Sequence, residues 1–161
     1  MKNQTNTNKY NLVTNVIKKE VNDILQGKYQ QCVLGTVDQN GYPYLSKVIP
    51  LYYKKKIFLL LSDLSDHTEN LKNNKKVSIY FALEETHKER LNNPRLTLLG
   101  LIEKLKLNKN DELFVKLLKK YALIEKSAKM WGKFLDFNFY EFKIQNSIYV
   151  KGFGKAYKKV I

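Results

Sequence analysis

His67 stands in the stretch Leu59 to Leu71, which gathers the best anion-gripping groups of this chain. Ser62, Ser65 and Thr68 flank the imidazole, and the residues around them read as the turn from a buried strand into a short helix. A helix that starts just after such a strand points its free N–H groups outward, where they favour negative charge. Hydroxyl and imidazole donors at the same spot strengthen that preference. Ser65 and Thr68 equally serve as helix caps, which need no ligand. Other chemistries find less support. The single cysteine, Cys32, and the two histidines, His67 and His87, lie in no metal-ligand spacing. The sequence contains no Gly-x-Ser-x-Gly elbow and no Walker loop. Gly152-Phe153-Gly154 lacks the third glycine and the following helix of a dinucleotide fingerprint. Any catalysis is therefore expected to rest on a bound cofactor.

Those residues must be positioned by the elements around them. Leu12, Val13, Val16, Ile17, Val21, Ile24 and Leu25 recur at helical spacing, with Asn11 as N-cap and an end near Gly27. Gln30 to Asp38 reads as a strand, and Asp38-Gln39-Asn40-Gly41 as the hairpin turn into a second strand, Tyr42 to Tyr53. Lys54-Lys55-Lys56 makes another tight turn before a buried strand, Ile57 to Ser62. Ser65 or Asp66 then caps a short helix, with Asp66 and Glu69 as a capping-box-like pair and Leu71 as its inward anchor. Val77 to Leu83 is a strand, Glu84 to Asn93 a charged loop, and Arg95 to Leu107 a long β segment in which Gly100 marks a bulge or a close backbone approach. A helix from Asn110 carries Leu113, Phe114, Leu117, Leu118 and Tyr121 on one face and is expected to run on to Trp131. Phe137 to Ile144 alternates, and Ile148 to Val160 is the last strand, interrupted at Gly152 and Gly154. Meandering strands with interposed helices predict a mainly antiparallel β fold of the α+β kind, closed as a barrel.

Composition narrows the partners. The 161 residues are 43% hydrophobic, enough for one buried core, so residues 10–161 are read as one domain behind a frayed polar tail at 1–9. The longest wholly apolar run, Ile57 to Leu61, is far shorter than the roughly 20 residues of a membrane span. Residues 1–9 carry no apolar signal region, and Cys32, set in an apolar run, reads as a buried thiol; a cytoplasmic protein is expected. The net charge of +14 comes almost wholly from lysine, Arg90 and Arg95 being the two arginines. Lysines spread along the chain attract anions in general. Specific nucleic-acid readout, which leans on arginine forks, is not expected.

One resemblance sharpens this picture. Gly41-Tyr42-Pro43 with Ser46 and Pro50, then Leu60 through Leu71, Arg95 through Gly100, Asp136 through Tyr140 and Gly152 through Ala156 together resemble the pyridoxamine-phosphate-oxidase-like FMN-binding split-barrel superfamily. The pattern is most similar to its heme-utilisation (HugZ-type) branch. The resemblance implies a split β-barrel that forms a homodimer and holds heme or, alternatively, FMN at the subunit interface. It places Ser46, Lys47 and Val48 on one strand and Leu61, Ser62, Ser65, His67 and Thr68 at the turn as cofactor-binding residues. Arg95 is implied as a cofactor-side cation that pairs with a propionate or polarises dioxygen, and Asp136 as a group that orients a ligand. Phe137, Phe139, Phe142 and Trp131 read as core. FMN-binding oxidases of the superfamily grip the phosphate with arginine and lysine, where this chain has Ser46, Asp66 and His67; a carboxylate beside a phosphate is unfavourable. The heme branch shares the serine, histidine and threonine character of this turn, but its iron ligand lies on a C-terminal extension that is not matched here. His67 is the expected iron ligand, with His87 or a non-histidine group as alternatives. Three functions follow: heme binding for utilisation, storage or oxidative breakdown; an FMN-dependent oxidoreductase; or a basic, non-enzymatic anion-binding module.

Overall fold

Strands supply most of the regular structure of this chain, and the computed structural model describes residues 9–161 of it. Helix α1 (Asn15–Leu25) leads into strands β1 (Gln31–Val37), β2 (Pro43–Lys47), β3 (Pro50–Tyr53) and β4 (Lys56–Ser62). Helix α2 (Asp66–Asn73) precedes β5 (Lys76–Ala82) and β6 (Arg95–Lys104), with a 3₁₀ turn at Arg90–Asn92 between them. Helices α3 (Glu112–Ile124) and α4 (Ala128–Trp131) then lead to β7 (Phe137–Gly152) and β8 (Lys155–Lys158). The strands pair antiparallel in the order β2-β1-β5-β6-β7-β4-β3, with β8 added beside β7.

The two ends of that order are one bent segment, so the sheet closes on itself as a split barrel. The single strand expected over Tyr42 to Tyr53 is two: β2 stays on β1 while β3 crosses to β4. Pro50 supplies no N–H at the bend, and the Ile49 carbonyl leaves the ladder to accept from the Tyr121 hydroxyl of α3. Val48 N still donates to Cys32 O, so the bend falls at Val48-Ile49.

Every residue of Ile57–Leu61 is apolar because each face of β4 has its own cover. Ile57, Leu59 and Leu61 point into the barrel with Leu34, Ile79, Phe81, Leu96 and Leu98, and α1 and α2 add Ile17, Val21, Ile24 and Leu71 to that core. Phe58 and Leu60 face outward with Phe139, under Phe114, Leu117 and Tyr121 of α3 and Ala128 of α4. Each such buried side chain contributes about 1.5–3 kcal/mol. Cys32 lies in the inner core, where burial pushes its thiol up, as expected for a structural cysteine.

Other local expectations change. Thr14, not Asn11, caps α1, its hydroxyl accepting from Ile17 N at 3.4 Å. Asn11 instead bridges to Tyr157, and its side chain donates to the carbonyls of Gly154 and Ala156. The helix expected to reach Trp131 breaks between α3 and α4, where Glu125 accepts from Ser127 N. The two last strands join into the 16-residue β7, and the glycine pair forms a hairpin to β8 with Gly154 at φ 73°. Gly100 sits at a register shift, where an added Cβ would lie 2.1 Å from Lys143 O. Within the tail expected at residues 1–9, residues 1–8 lie outside the described residues.

Candidate functional site

The turn between β4 and α2 is held from three sides. Ser62 Oγ donates to Asp136 Oδ2 at 2.5 Å and accepts from Leu64 N, while Asp63 N donates to the Asp136 carbonyl. The Asp63 carboxylate receives Lys104 Nζ at 2.6 Å, Asn138 Nδ2 at 2.8 Å and the Tyr140 hydroxyl at 2.8 Å. Burial works to raise the Asp63 pKa, but the bonds from Lys104, Tyr140 and Asn138 outweigh it and hold the carboxyl below its ordinary value. Lys109 donates to the Phe137 carbonyl, and its burial lowers its own pKa against the opposing pull of Asp136 and Asp63. On the barrel side, Asn70 Nδ2 donates to Thr36 Oγ1 of β1 at 3.0 Å and the Tyr44 hydroxyl of β2 donates to Asp66 at 3.2 Å.

Among the described residues, two buried side-chain polar atoms have no hydrogen-bond partner: Ser46 Oγ and His67 Nε2. Ser46 pairs across β1 with the fully buried Leu34, and directly opposed side chains share a face, so it points toward the barrel interior. His67 is one turn before Leu71 and so shares the barrel-facing side of α2. Burial holds the His67 imidazole below its ordinary pKa of 6.5, with Asp66 pulling weakly the other way, so it is neutral at pH 7. A neutral imidazole offers one donor and one acceptor, and an unpaired buried atom of this kind costs about 1–3 kcal/mol.

The remaining expected residues fall into distinct places. Thr68 is buried and its hydroxyl is committed to the carbonyls of Ser62 and Ser65, both at 2.7 Å. Ser65 occupies the N-cap position but its side chain makes no capping bond, and Asp66 is the first residue of α2 rather than its cap, so the Asp66–Glu69 capping pair does not form. Val48 and Leu61 lie in the inner core, which leaves only their backbone to face a ligand. Lys47 is exposed at the end of β2, on the outer face. Asp136 is brought to the turn as its clamp. Arg95 is not brought there within one chain: it lies opposite Ala82, which lies opposite Gln31, whereas α2 contacts β1 at Thr36. Five strand residues separate these levels, about 16 Å. The Arg95 guanidinium donates to the carbonyls of Leu91 and Asn93. His87 sits in the exposed loop before β6, its N–H donating to Asn93 Oδ1.

Two hollows flank α2 with opposite electrostatic character. One, of about 480 Å³, is lined by Asp38, Asp66, Glu69 and Tyr44. The other, of about 940 Å³, is lined by Lys72, Lys75, Lys104 and Lys106 against the carboxylates of Asp63 and Glu103. An anionic ligand is favoured on the lysine side and disfavoured on the carboxylate side. Asp63, Asn138, Tyr140 and Lys104 escaped the sequence reading, although Asp136, Asn138 and Tyr140 stand at period two and so on one face of a strand.

Comparison with known proteins agrees with this fold. The family model described as CREG, beta-barrel, matches residues 13–160. A heme oxygenase, HutZ, of Vibrio cholerae is 27% identical over 133 residues, 78% of this chain and 71% of that protein. A solved heme binding protein from Mycobacterium smegmatis superposes with a TM-score of 0.77 at 20% identity, covering 92% of this chain, which spans only 59% of that protein. The solved HutZ, described as a heme storage protein from Vibrio cholerae, superposes with a TM-score of 0.69 at 21% identity over 80% of this chain and 90% of its own. The split-barrel fold expected from the sequence is the fold observed, and the resemblance on which that expectation rested holds.

Proposed function

This chain belongs to the CREG β-barrel family, and on that premise we propose that it is a homodimeric, cytoplasmic protein that binds heme for its utilisation, storage or oxidative breakdown. The observation that carries the proposal is the buried, unpartnered His67 Nε2 on α2, just past the strand-to-helix turn, with a second such atom, Ser46 Oγ, on β2. A neutral imidazole suits either an iron ligand or a hydrogen-bond donor to a propionate. Iron, when bound, would supply the dioxygen and electron chemistry that no side chain here provides. The chain's own residues fix the turn through Ser62, Asp63 and Asp136 and keep His67 neutral. HutZ is described both as a heme oxygenase and as a heme storage protein, and we extend that heme chemistry to the present chain.

The dimer is supported by the outer face of β2, β1, β5 and β6. Leu45, Gly35, Ser78 and Leu99 form one row across it, and Lys47, Val33, Tyr80 and Thr97 the next. Leu45 is 69% exposed and Tyr80 and Leu99 are partly exposed, with no helix of the described residues over them. A second copy is the natural cover for such a face. FMN ranks second, because the exposed Asp66 carboxylate opposes a phosphate at the helix start. The test is an absorption spectrum of protein purified without added cofactor, with light scattering on the same sample. A Soret band from a dimer supports the proposal; flavin bands, or a monomer that takes up neither ligand, overturn it.

A further inference from the structure

The stretch from Leu113 to Leu135 combines two features that oppose each other on an ordinary protein surface. It carries six lysines, Lys116, Lys119, Lys120, Lys126, Lys129 and Lys133, against the single carboxylate of Glu125. All six lysines are exposed. The same stretch exposes large apolar side chains: Leu123 at 79%, Leu135 at 87%, and Ile124, Met130 and Phe134 each at about half. They belong to one packed unit. Ala128 of α4 is buried with Phe114, Leu117 and Tyr121 of α3, and the Trp131 ring stacks on Phe137 at 5.8 Å, with Phe134 beside it. The inward residues of both helices are thus used up on β4 and β7, and the lysines and apolar tips are what remains outside.

We propose that this face docks on an anionic lipid bilayer, the apolar tips entering the headgroup boundary while the lysines meet lipid phosphates. Charge decides among the occupants. A second copy placed symmetrically on this face would set six lysines against six more, which is repulsive. Nucleic acid would neutralise the lysines but offers no place for Leu123, Ile124 and Leu135. A bilayer surface with acidic headgroups satisfies both features at once. Docking is peripheral, since no helix of the described residues is long and apolar enough to cross a membrane.

Sedimentation of the full chain with vesicles tests this. Wild type is expected to bind phosphatidylglycerol-containing vesicles at least tenfold more tightly than pure phosphatidylcholine vesicles. Lys126→Glu/Lys129→Glu and, separately, Leu123→Ser/Leu135→Ser should each weaken binding about tenfold, these side chains being exposed and outside the core. Lys18→Glu/Lys19→Glu, the same charge change on exposed positions of α1, should bind like wild type. The proposal is overturned by wild type that ignores acidic vesicles, by an equal loss in the α1 variant, which would mean general charge attraction, or by full binding of the leucine variant. It is also overturned if the leucine variant changes the oligomeric state in light scattering, which would assign the face to a second copy.

Discussion

Ser62 and Asp136, 74 positions apart in sequence, meet in a 2.5 Å hydrogen bond that fastens the start of the candidate site to the entry of β7. The bond is charge-assisted and partly buried, and the Asp136 carbonyl accepts from the next residue, Asp63 N. The turn is therefore tied by both the side chain and the backbone of one residue.

Breaking that tie should loosen the site before it unfolds the barrel. Asp136→Ala is expected to cost about 1–2 kcal/mol of stability and to weaken heme binding in parallel, as read by urea denaturation and ligand titration. Asp136→Asn keeps the shape, and the amide can still accept from Ser62, so its loss should be smaller. If Asp136→Ala leaves both measurements unchanged, the clamp does not hold the turn.

His67 and Asp63, two of the shifted groups at the site, set separate windows of pH dependence. The folded protein keeps His67 neutral, whereas the unfolded chain takes up a proton at the ordinary value of 6.5. The unfolded state therefore binds more protons, and stability falls as the pH drops through 6.5 and levels off below the folded value. Asp63 has a lowered folded value, so its contribution is complete above the ordinary 3.8 and is lost as the pH falls through the folded value. Between 6.5 and 3.8 the loss from this pair belongs to His67 alone. Urea midpoints between pH 6.5 and about 5, above the range in which Glu103 and Glu125 lose their own contributions, should slope in wild type and flatten in His67→Gln; equal slopes would mean that His67 is not buried neutral.

Gly100 tests the register of the barrel. A methyl group there meets a backbone carbonyl at 2.1 Å, not the movable end of a side chain. Gly100→Ala is expected to destabilise by about 2–3 kcal/mol, within the range of overpacked cores. Thermal unfolding of the variant measures it, and a shift within error would place the strands in a different register.

Much of the fold could be read from the sequence because burial leaves a period. The alternation in β1 and β5, the two-sided apolar run of β4 and the Asn-Gly turn are each local signals with one physical cause. What escaped was set by distant partners. The bend that divides β2 from β3 depends on Tyr121 taking the Ile49 carbonyl, a contact across 72 positions. Asn11 has the chemistry of a helix cap, but the edge near Gly154 and Ala156 claims its side chain. At the site, the strand-to-helix turn that carries Ser62 and His67 was legible, while the bond from Ser62 to Asp136 joins residues 74 positions apart. The carboxylate hub at Asp63 was not, because Lys104, Asn138 and Tyr140 converge on it only once β6 and β7 are in place.

The central claim is that heme is held beside the β4–α2 turn, where the half-buried His67 keeps its Nε2 buried and without a partner. The most direct test is heme titration of wild type, His67→Ala and His87→Ala under the same conditions. A ligand contact of this kind is worth about 1.5–3 kcal/mol, so His67→Ala should bind roughly tenfold to a hundredfold more weakly, with a shifted Soret band if iron is ligated. His87→Ala, in the exposed loop, should match wild type. Equal heme affinity in wild type and His67→Ala would contradict the account and leave the turn as the cap of a short helix.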